Sequence, residues 1–419
     1  MDLPTEFSVQ QLVQVIEKVA KVINVPPQLM DWNQFQQGLS TVGLKADSWV
    51  LSRIRALGGF SSIRNAEFGV QLEPSAIVTK DKASISRKLA QKIAFDSLFT
   101  YEMQQRFVKE FATPIYKLPK LPKRPKKTMR NVHCIISDTH FGSNLLPEIG
   151  VRKYTSEEEA ASVATLVKGL LDFKTSYRGT SKLYISLIGD VIAGIIHSPQ
   201  SYAPLSEQMA RAIHVLGRAF WILASEYPEI EVNCATGNHE RRPDRHRERA
   251  SADKWDSYAS VIYYAIKQQM LNVPNFKMNI PKTPYFTYET FGHKIWATHG
   301  DTVIKVPNLG PINPTHIEDQ VNRLNANTDK KVVGLLFGHS HSAAKLTLSN
   351  GVTVIVNPPL IPADQYAQSI GIASDSPVGQ QVWESVPEYP FGDLRTVWVS
   401  ESDRQNKENL KIIPPYSGF

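Results

Sequence analysis

An α/β architecture behind a small all-α N-terminal domain is what the patterning of this chain predicts, and three observations carry that reading. From residue 131 onward, short apolar runs alternate with helical stretches, the rhythm of strand–helix–strand units. Five of those runs stop at a loop that carries Asp, Asn or His. Ahead of them lies a proline- and lysine-rich stretch with no acidic residue, a composition that blocks helix and central strand and so marks a boundary. The expected organisation is a helical unit over 1–75, a helix and basic linker over 76–130, a catalytic domain over 131–357 and an aromatic extension over 358–419 that packs on the core or in a subunit contact.

At 419 residues the chain has room for one large domain and a smaller one. Hydrophobic residues make up 42% and charged ones 21%, which places it among globular proteins. No apolar run approaches the roughly 18 residues of a membrane helix. The start, Met1-Asp2-Leu3-Pro4, lacks the basic and apolar regions of a signal peptide. Cys134 and Cys234 lie inside apolar runs and read as core thiols. The expectation is a cytoplasmic protein without a membrane partner. A net charge of +7 and a pI near 9.1 are compatible with a polyanionic partner.

In chain order, Val9 to Ile23 carries a helical stripe of Val9, Leu12, Val13, Ile16, Val19 and Ile23, ended by Pro26-Pro27. Trp32 and Phe35 follow, then Ser48-Trp49-Val50-Leu51 with Ile54, then a Gly58-Gly59-Phe60 turn into a last helix. This three-helix pattern looks like the helix-turn-helix modules appended to phage and homing nucleases, with Arg53, Arg55 and Arg64 available to a groove. A helical cap or oligomerisation module is the alternative. Residues 82–112 read as one more helix. Between Pro114 and Arg130, four prolines alternate with Lys117, Lys120, Lys123, Arg124, Lys126 and Lys127, an extended linker that either tracks a phosphate backbone or is simply solvated. Strands are then expected at Val132–Ile136, Leu183–Ile188, Ile230–Ala235, Ile295–Ala297, Val332–Phe337 and Val352–Val356, with helices near Glu157–Phe173, Leu205–Glu226 and Ser257–Met270.

The chemistry sits where strands end. The loops are Ser137-Asp138-Thr139-His140, Gly189-Asp190-Val191, Gly237-Asn238-His239-Glu240, Thr298-His299-Gly300-Asp301 and Gly338-His339-Ser340-His341. Open α/β sheets place ligands at such strand ends. Residues two apart on an extended segment point the same way, so Asp138 with His140, and His339 with His341, are each expected to aim at one place. Carboxylate, imidazole and amide oxygen suit first-row divalent metals better than calcium or a thiolate-bound zinc. The donors are too many for one ion and suit two ions sharing a carboxylate. Singly, an Asp at a strand end is usually a cap or turn residue, and a single His a satisfied one; five such loops together are not explained that way.

The order Asp-x-His, Gly-Asp, Gly-Asn-His-Glu, His and Gly-His-x-His resembles the calcineurin-like metallophosphoesterases over about residues 131–357. The resemblance implies a two-sheet αββα sandwich with a dimetal site, holding manganese or else iron, zinc, nickel or magnesium. One ion would be held by Asp138, His140, Asp190 and His341. The other would be held by the bridging Asp190 with Asn238, His299 and His339. His239 would be the acid that protonates the leaving oxygen. Arg241, Arg242 and Arg245, in the arginine-rich run that follows, are candidate substrate contacts.

Protein phosphatases of this family follow the second loop with an Asp-Arg pair; here Gly189-Asp190-Val191-Ile192-Ala193-Gly194 has none. Ser137-Asp138-Thr139-His140-Phe141-Gly142 is more similar to the opening of SbcD-type DNA-repair nucleases. Those place a second catalytic histidine just after the bridging Asp, where this chain has Ala193 and Gly194, with His197 a turn later as the candidate substitute. With the basic linker, in which Lys123, Arg124, Lys126 and Lys127 are candidate DNA contacts, the expectation is a metal-dependent DNA nuclease, phage-encoded, as a homo-oligomer or beside a partner ATPase. A phosphodiesterase or phosphatase acting on small phosphoesters, and an inactivated DNA-binding scaffold, are the alternatives.

Overall fold

The computed structural model describes residues 9–27, 30, 32–42, 114–118, 120–127, 129–146, 151–177, 179–196, 202–241, 254, 257–306, 312–326, 328–369, 371–373 and 375–418. Arg53, Arg55 and Arg64 with the rest of the expected helix-turn-helix, the helix expected over 82–112, His197, Arg242 and Arg245 lie outside the described residues. The chain divides into two compact units, Met1–Ala94 and Phe95–Phe419.

In the first unit, α1 (Val9–Ile23) coincides with the expected helix. Asn24, in the left-handed conformation at φ +54°, ends it as a C-terminal cap does. Its apolar stripe, including Leu12, Ile16 and Val19, packs on Phe35 and Leu39 of α2 (Trp32–Thr41).

The second unit is a sandwich of two sheets between helical layers. Its first half runs β1 (Arg130–Ile136), α3 (Ser156–Ser176), β2 (Thr180–Ile188), α4 (Leu205–Glu226), β3 (Ile230–Ala235), α5 (Tyr258–Gln269) and β4 (Phe276–Asn279). These four strands are parallel neighbours in the order β1-β2-β3-β4, the arrangement that strand–helix–strand units produce. Thr155 opens α3, its backbone N–H donating to Glu158 at 2.9 Å. The second half adds β5 (Tyr285–Thr290), β6 (His293–Thr298), α6 (Pro314–Ala326), β7 (Val332–Phe337), β8 (Ala344–Thr347) and β9 (Thr353–Val356), a second sheet in the order β5-β6-β7-β9-β8. The C-terminal segment returns to the first sheet: β10 (Gly379–Ser385) lies antiparallel beside β1, with β11 (Leu394–Trp398) outside it.

Alternation along β1 shows how the layers are built. Val132, Cys134 and Ile136 face a core shared with Leu166, Leu170, Ile213 and Phe220 of the helices. Ile135 faces the other way, into a core between the sheets with Tyr288, Ile295, Leu336 and Trp383. The outer face of the second sheet packs Leu335 and Phe337 against Ile317 and Val321 of α6. Both cysteines are buried thiols. Among the described residues no helix is long and apolar enough to cross a membrane.

The basic linker is extended and docked. The Tyr116 N–H donates to the carbonyl of Gln269 at 3.2 Å, the Trp221 indole N–H to that of Lys117 at 3.0 Å, and the Met129 N–H to that of Gly179 at 3.3 Å. Arg124 pairs with Glu229 at 3.2 Å. Lys123, Arg124, Lys126 and Lys127 are exposed. Gly179, Glu229 and Arg130 lie where β2, β3 and β1 begin, so the linker runs along the starting edge of the parallel strands.

Candidate metal centre

Five loops meet where β1, β2 and β3 of the first sheet and β6 and β7 of the second finish. Backbone hydrogen bonds fasten the first two together: the Asp138 N–H donates to Gly189 at 3.1 Å, His140 to Asp190 at 3.1 Å and Phe141 to Val191 at 2.8 Å. The fourth and fifth are joined by the Gly338 N–H donating to His299 at 2.9 Å. Two glycines are there because the loops touch. A Cβ on Gly237 would lie 2.0 Å from Asp190 Oδ1, and one on Gly338 would lie 2.3 Å from Asp138 Oδ2.

Asp138 and His140 join one ligand group as expected, whereas His339 and His341 join different ones, and neither pair stands on extended backbone. All four residues are left-handed, at φ +52°, +45°, +64° and +52°, and Asp190 joins them at +50°. Eight described non-glycine residues have such angles, and five of them are these candidate ligands. Strained backbone held in place by its surroundings, at about 1–3 kcal/mol each, concentrates at functional sites.

The side chains form three overlapping groups whose ligand atoms lie within 4.8 Å of one another: Asp138–His140–His341, His140–Asp190–His239 and Asp190–His299–His339. Asn238 adds its Oδ1, 3.1 Å from His299 Nε2. Asp190 belongs to two groups. Its Oδ1 accepts the backbone N–H groups of Asn238 at 2.8 Å and His239 at 2.9 Å, while its Oδ2 lies 3.1 Å from His299 Nε2. Asp138 accepts the His339 N–H at 3.2 Å and lies 3.5 Å from His341 Nε2. His299 Nδ1 donates to the carbonyl of Ile188 at 2.9 Å, which leaves Nε2 as the atom turned to the carboxylate, the way a partner outside the ligand set fixes a metal ligand's tautomer.

The electrostatics follow from two carboxylates buried among imidazoles. Burial works against ionising Asp138, but the His341 hydrogen bond and the charges of His299 and His341 hold its carboxyl below the usual range. Burial opposes Asp190 too; His299 and His239 outweigh it and hold the carboxyl well below. Reciprocally, Asp190 overcomes the burial of His299 and raises that imidazole to about 10. Asp138 raises His341 against its burial in the same way. Burial and the charge of His239 push His140 well down, and burial and the charge of His299 bring His339 to about 4. Oxygen and nitrogen lone pairs thus converge around a surplus of negative charge that protons on His299 and His341 compensate. Divalent cations suit that donor set and would take the same lone pairs, releasing protons as they bind.

No family model matches the chain, and no curated protein matches its sequence. Solved structures do resemble it. The calcineurin-like phosphoesterase YfkN from Bacillus subtilis aligns at 12% identity and a TM-score of 0.31, over 68% of this chain and 96% of that one. A dimetal phosphatase from Danio rerio aligns at 11% and 0.32, over 63% and 95%. Vps29 from Chaetomium thermophilum aligns at 10% and 0.27, over 64% and 95%. Likeness this distant assigns no activity, which must come from the side chains.

Further contacts shape the site around the candidate ligands. His239 Nδ1 donates to the carbonyl of Ala193 at 2.8 Å, and its ring stands edge-on to His140 at 4.4 Å between centroids. Glu240 is fully buried and accepts the Val191 N–H, tying the third loop to the second; burial and the charge of Asp190 raise its carboxyl to about 7. Asn357 donates to Ser137 Oγ at 2.8 Å and accepts the Gln381 N–H at 2.9 Å, joining the first loop to β10. Lys254 pairs with Asp301 beside His299. A cleft opens above the ligands, and one wall of it is Ile361, Pro362, Ala363 and Tyr366 from the C-terminal segment. Glu240 was visible as the end of Gly-Asn-His-Glu. The wall had no signal beyond its aromatic composition.

Proposed function

We propose that this chain hydrolyses phosphoesters with two divalent cations held by these loops, and that its substrate is the phosphodiester backbone of DNA. The observation that carries the first part is the position of Asp190, common to two of the three ligand groups. Asp138, His140, Asp190 and His341 would hold one ion, and Asp190, Asn238, His299 and His339 the other. When bound, such a pair lowers the pKa of water and neutralises charge on phosphoryl oxygens. The chain's own side chains supply the rest. His239, with Nδ1–H committed to Ala193, presents Nε2 3.9 Å from Asp190 Oδ2, at the edge of the cluster. From there it gives its proton to the departing oxygen. Arg241 follows with a buried Nε that has no hydrogen-bond partner among the described residues, a donor suited to a phosphate oxygen.

The net charge of +7 and the exposed Lys123, Arg124, Lys126 and Lys127 support a polymeric, polyanionic substrate. One observation favours the second reading, a small phosphoester. The basic linker lies at the opposite edge of the sheet from the ligands. β1 alone has 7 residues, a separation of roughly 20 Å. Only a long ligand reaches both edges. The complete donor set weighs against an inactivated scaffold.

The test is incubation with Mn²⁺ and, in parallel, duplex DNA, single-stranded DNA, bis(p-nitrophenyl) phosphate and p-nitrophenyl phosphate, with Asp190→Asn as control. DNA breakdown that the substitution abolishes is the expected result. Turnover of the small esters alone removes DNA as substrate. No turnover of any of them removes the enzymatic reading.

A further inference from the structure

We infer that Gln208, on α4, is a positioning residue for the proton donor: it fixes the Ala193–Gly194 turn, whose carbonyl in turn fixes the tautomer and direction of His239. The inference rests on His239 acting as the acid, as proposed above. Gln208 is fully buried on a helix face shared with Leu205, Met209, Ala212 and Leu216 and with Arg211, which pairs with the buried Glu159 at 3.3 Å. Its amide is completely paired. Oε1 accepts the Gly194 N–H at 2.7 Å, and Nε2 donates to the carbonyls of Gly194 at 3.0 Å and Ala203 at 2.8 Å. Burying an amide is unfavourable unless every such bond is made, and an apolar side chain of equal volume would fill this space without that demand. What the amide adds is a fixed position for one turn.

That turn touches the histidine twice. The Ala193 carbonyl accepts His239 Nδ1–H at 2.8 Å. Gly194, at φ +68°, lies so close that a Cβ there would come within 2.0 Å of the His239 carbonyl oxygen. Gln208 also underlies the loop of His140, since a Cβ on Gly142 would lie 2.3 Å from its Cγ.

The consequence is chemical. With Nδ1–H held by Ala193, the proton that moves is the one on Nε2. The imidazolium gives Nε2–H to the leaving alkoxide as the P–O bond breaks and its electron pair departs on oxygen; the ring is left neutral in its Nδ1–H form. If the turn loosens, the neutral ring also populates the Nε2–H form and the donor loses its direction. Leaving groups that need a proton then suffer, and those that leave as stable anions do not.

Gln208→Met keeps the volume and removes all three hydrogen bonds; Gln208→Glu keeps the acceptor for Gly194 N–H and removes the donors. In the full-length protein with Mn²⁺, kcat for an alkyl phosphodiester is expected to fall about 100-fold in Gln208→Met, with a smaller fall in Gln208→Glu. kcat for a p-nitrophenyl diester should change less than threefold on the same scale. A second readout needs no turnover. In the metal-free, ¹⁵N-histidine-labelled protein, His239 should give the nitrogen shifts of a pure Nδ1–H ring when neutral, and mixed tautomers in both variants. Should Gln208→Met not fold, Gln208→Glu decides by the same two readouts. Equal slowing of both esters, or an unchanged His239 tautomer, overturns the role of Gln208. If the wild type turns over neither ester, the proposed function falls, and the tautomer measurement still decides whether Gln208 sets His239.

Discussion

Two sets of buried histidines lie along β1 and just past its end, and they are built on opposite terms. His133, inside the strand, sits between the sheets with Nδ1 3.0 Å from the Tyr288 hydroxyl and Nε2 2.7 Å from the Ser385 hydroxyl. Its ring is stacked between Tyr184 at 5.0 Å and Trp383 at 4.9 Å. Burial, with the charge of Lys182, pushes its pKa down to about 3, so it is a neutral, fully paired core residue. Past the strand, His140 faces other imidazoles and carboxylates instead: its Nε2 is 3.4 Å from His341 Nε2, with no hydroxyl beside it among the described residues. The backbone changes with them, from regular strand to left-handed residues. Burial therefore does not separate a structural histidine from a ligating one. What separates them is whether neighbouring hydroxyls complete the ring's hydrogen bonds, or other donors of lone pairs crowd it.

That contrast can be broken at either set. The largest expected effect is from Asp190→Asn, which should lower turnover by about 10³-fold or more and weaken divalent-ion uptake measured by calorimetry, because it removes the carboxylate common to two ligand groups. Unchanged ion binding would show that the cluster is a structural network like that of His133. His133→Ala should cost about 3 kcal/mol in urea unfolding, by leaving a cavity and removing one buried hydrogen bond from each of two hydroxyls, with turnover per folded molecule unchanged. Saturating Mn²⁺, at about 100 times its Kd, should stabilise the wild type by about 2.7 kcal/mol for each ion bound and Asp190→Asn by much less; equal stabilisation would place the ions elsewhere.

Acid sharpens the same comparison. Below the ordinary imidazole value of 6.5, the unfolded chain takes up a proton at His133 that the folded chain refuses until about pH 3. The contribution is fully present above 6.5 and is lost as pH falls through that window, at up to about 1.4 kcal/mol per pH unit. His133→Gln should flatten the slope between pH 6.5 and 4 by one proton; an unaltered slope would mean that His133 is not held neutral. The smallest effect expected concerns the linker. Replacing Lys123, Arg124, Lys126 and Lys127 together by Gln should weaken DNA binding by about tenfold at low salt and leave small-ester turnover unchanged.

Much of the fold was legible because local pattern and long-range packing agree in it. The parallel strands β1, β2, β3, β6, β7 and β9 and the helices α3, α4 and α5 follow from apolar runs of the right length, and α1 from an uninterrupted stripe. β4, β5, β8, β10 and β11 were not legible: β4, β5, β8 and β11 are part-exposed edge strands, β10 is buried between β1 and β11, and the identity of all five is set by the neighbours they pair with. At the site, the loop motifs named the candidate ligands, but the close approach that requires glycine at Gly237 and Gly338 shows only in the structure. The left-handed angles at Asp138 and His140 could not be read, because Asp and His adopt them only when surrounding loops impose them. Gln208 stayed hidden for the complementary reason: a buried polar residue on a helix, like Arg211 beside it, has no meaning until its partners are known.

The strand beside β1 is supplied from the far end of the sequence. Ser137, next to the first ligand, donates its N–H to Gln380, 243 positions away. Every candidate ligand, His341 the last of them, is therefore synthesised before the segment that shields the flank of β1. Non-local pairing of that kind is slow to form. A nascent or truncated chain ending before Gly379 would carry the whole donor set on a sheet with an unprotected edge, prone to pair with its own copies. Competence would thus arrive late in synthesis, and interrupted translation would yield aggregates rather than an unregulated hydrolase.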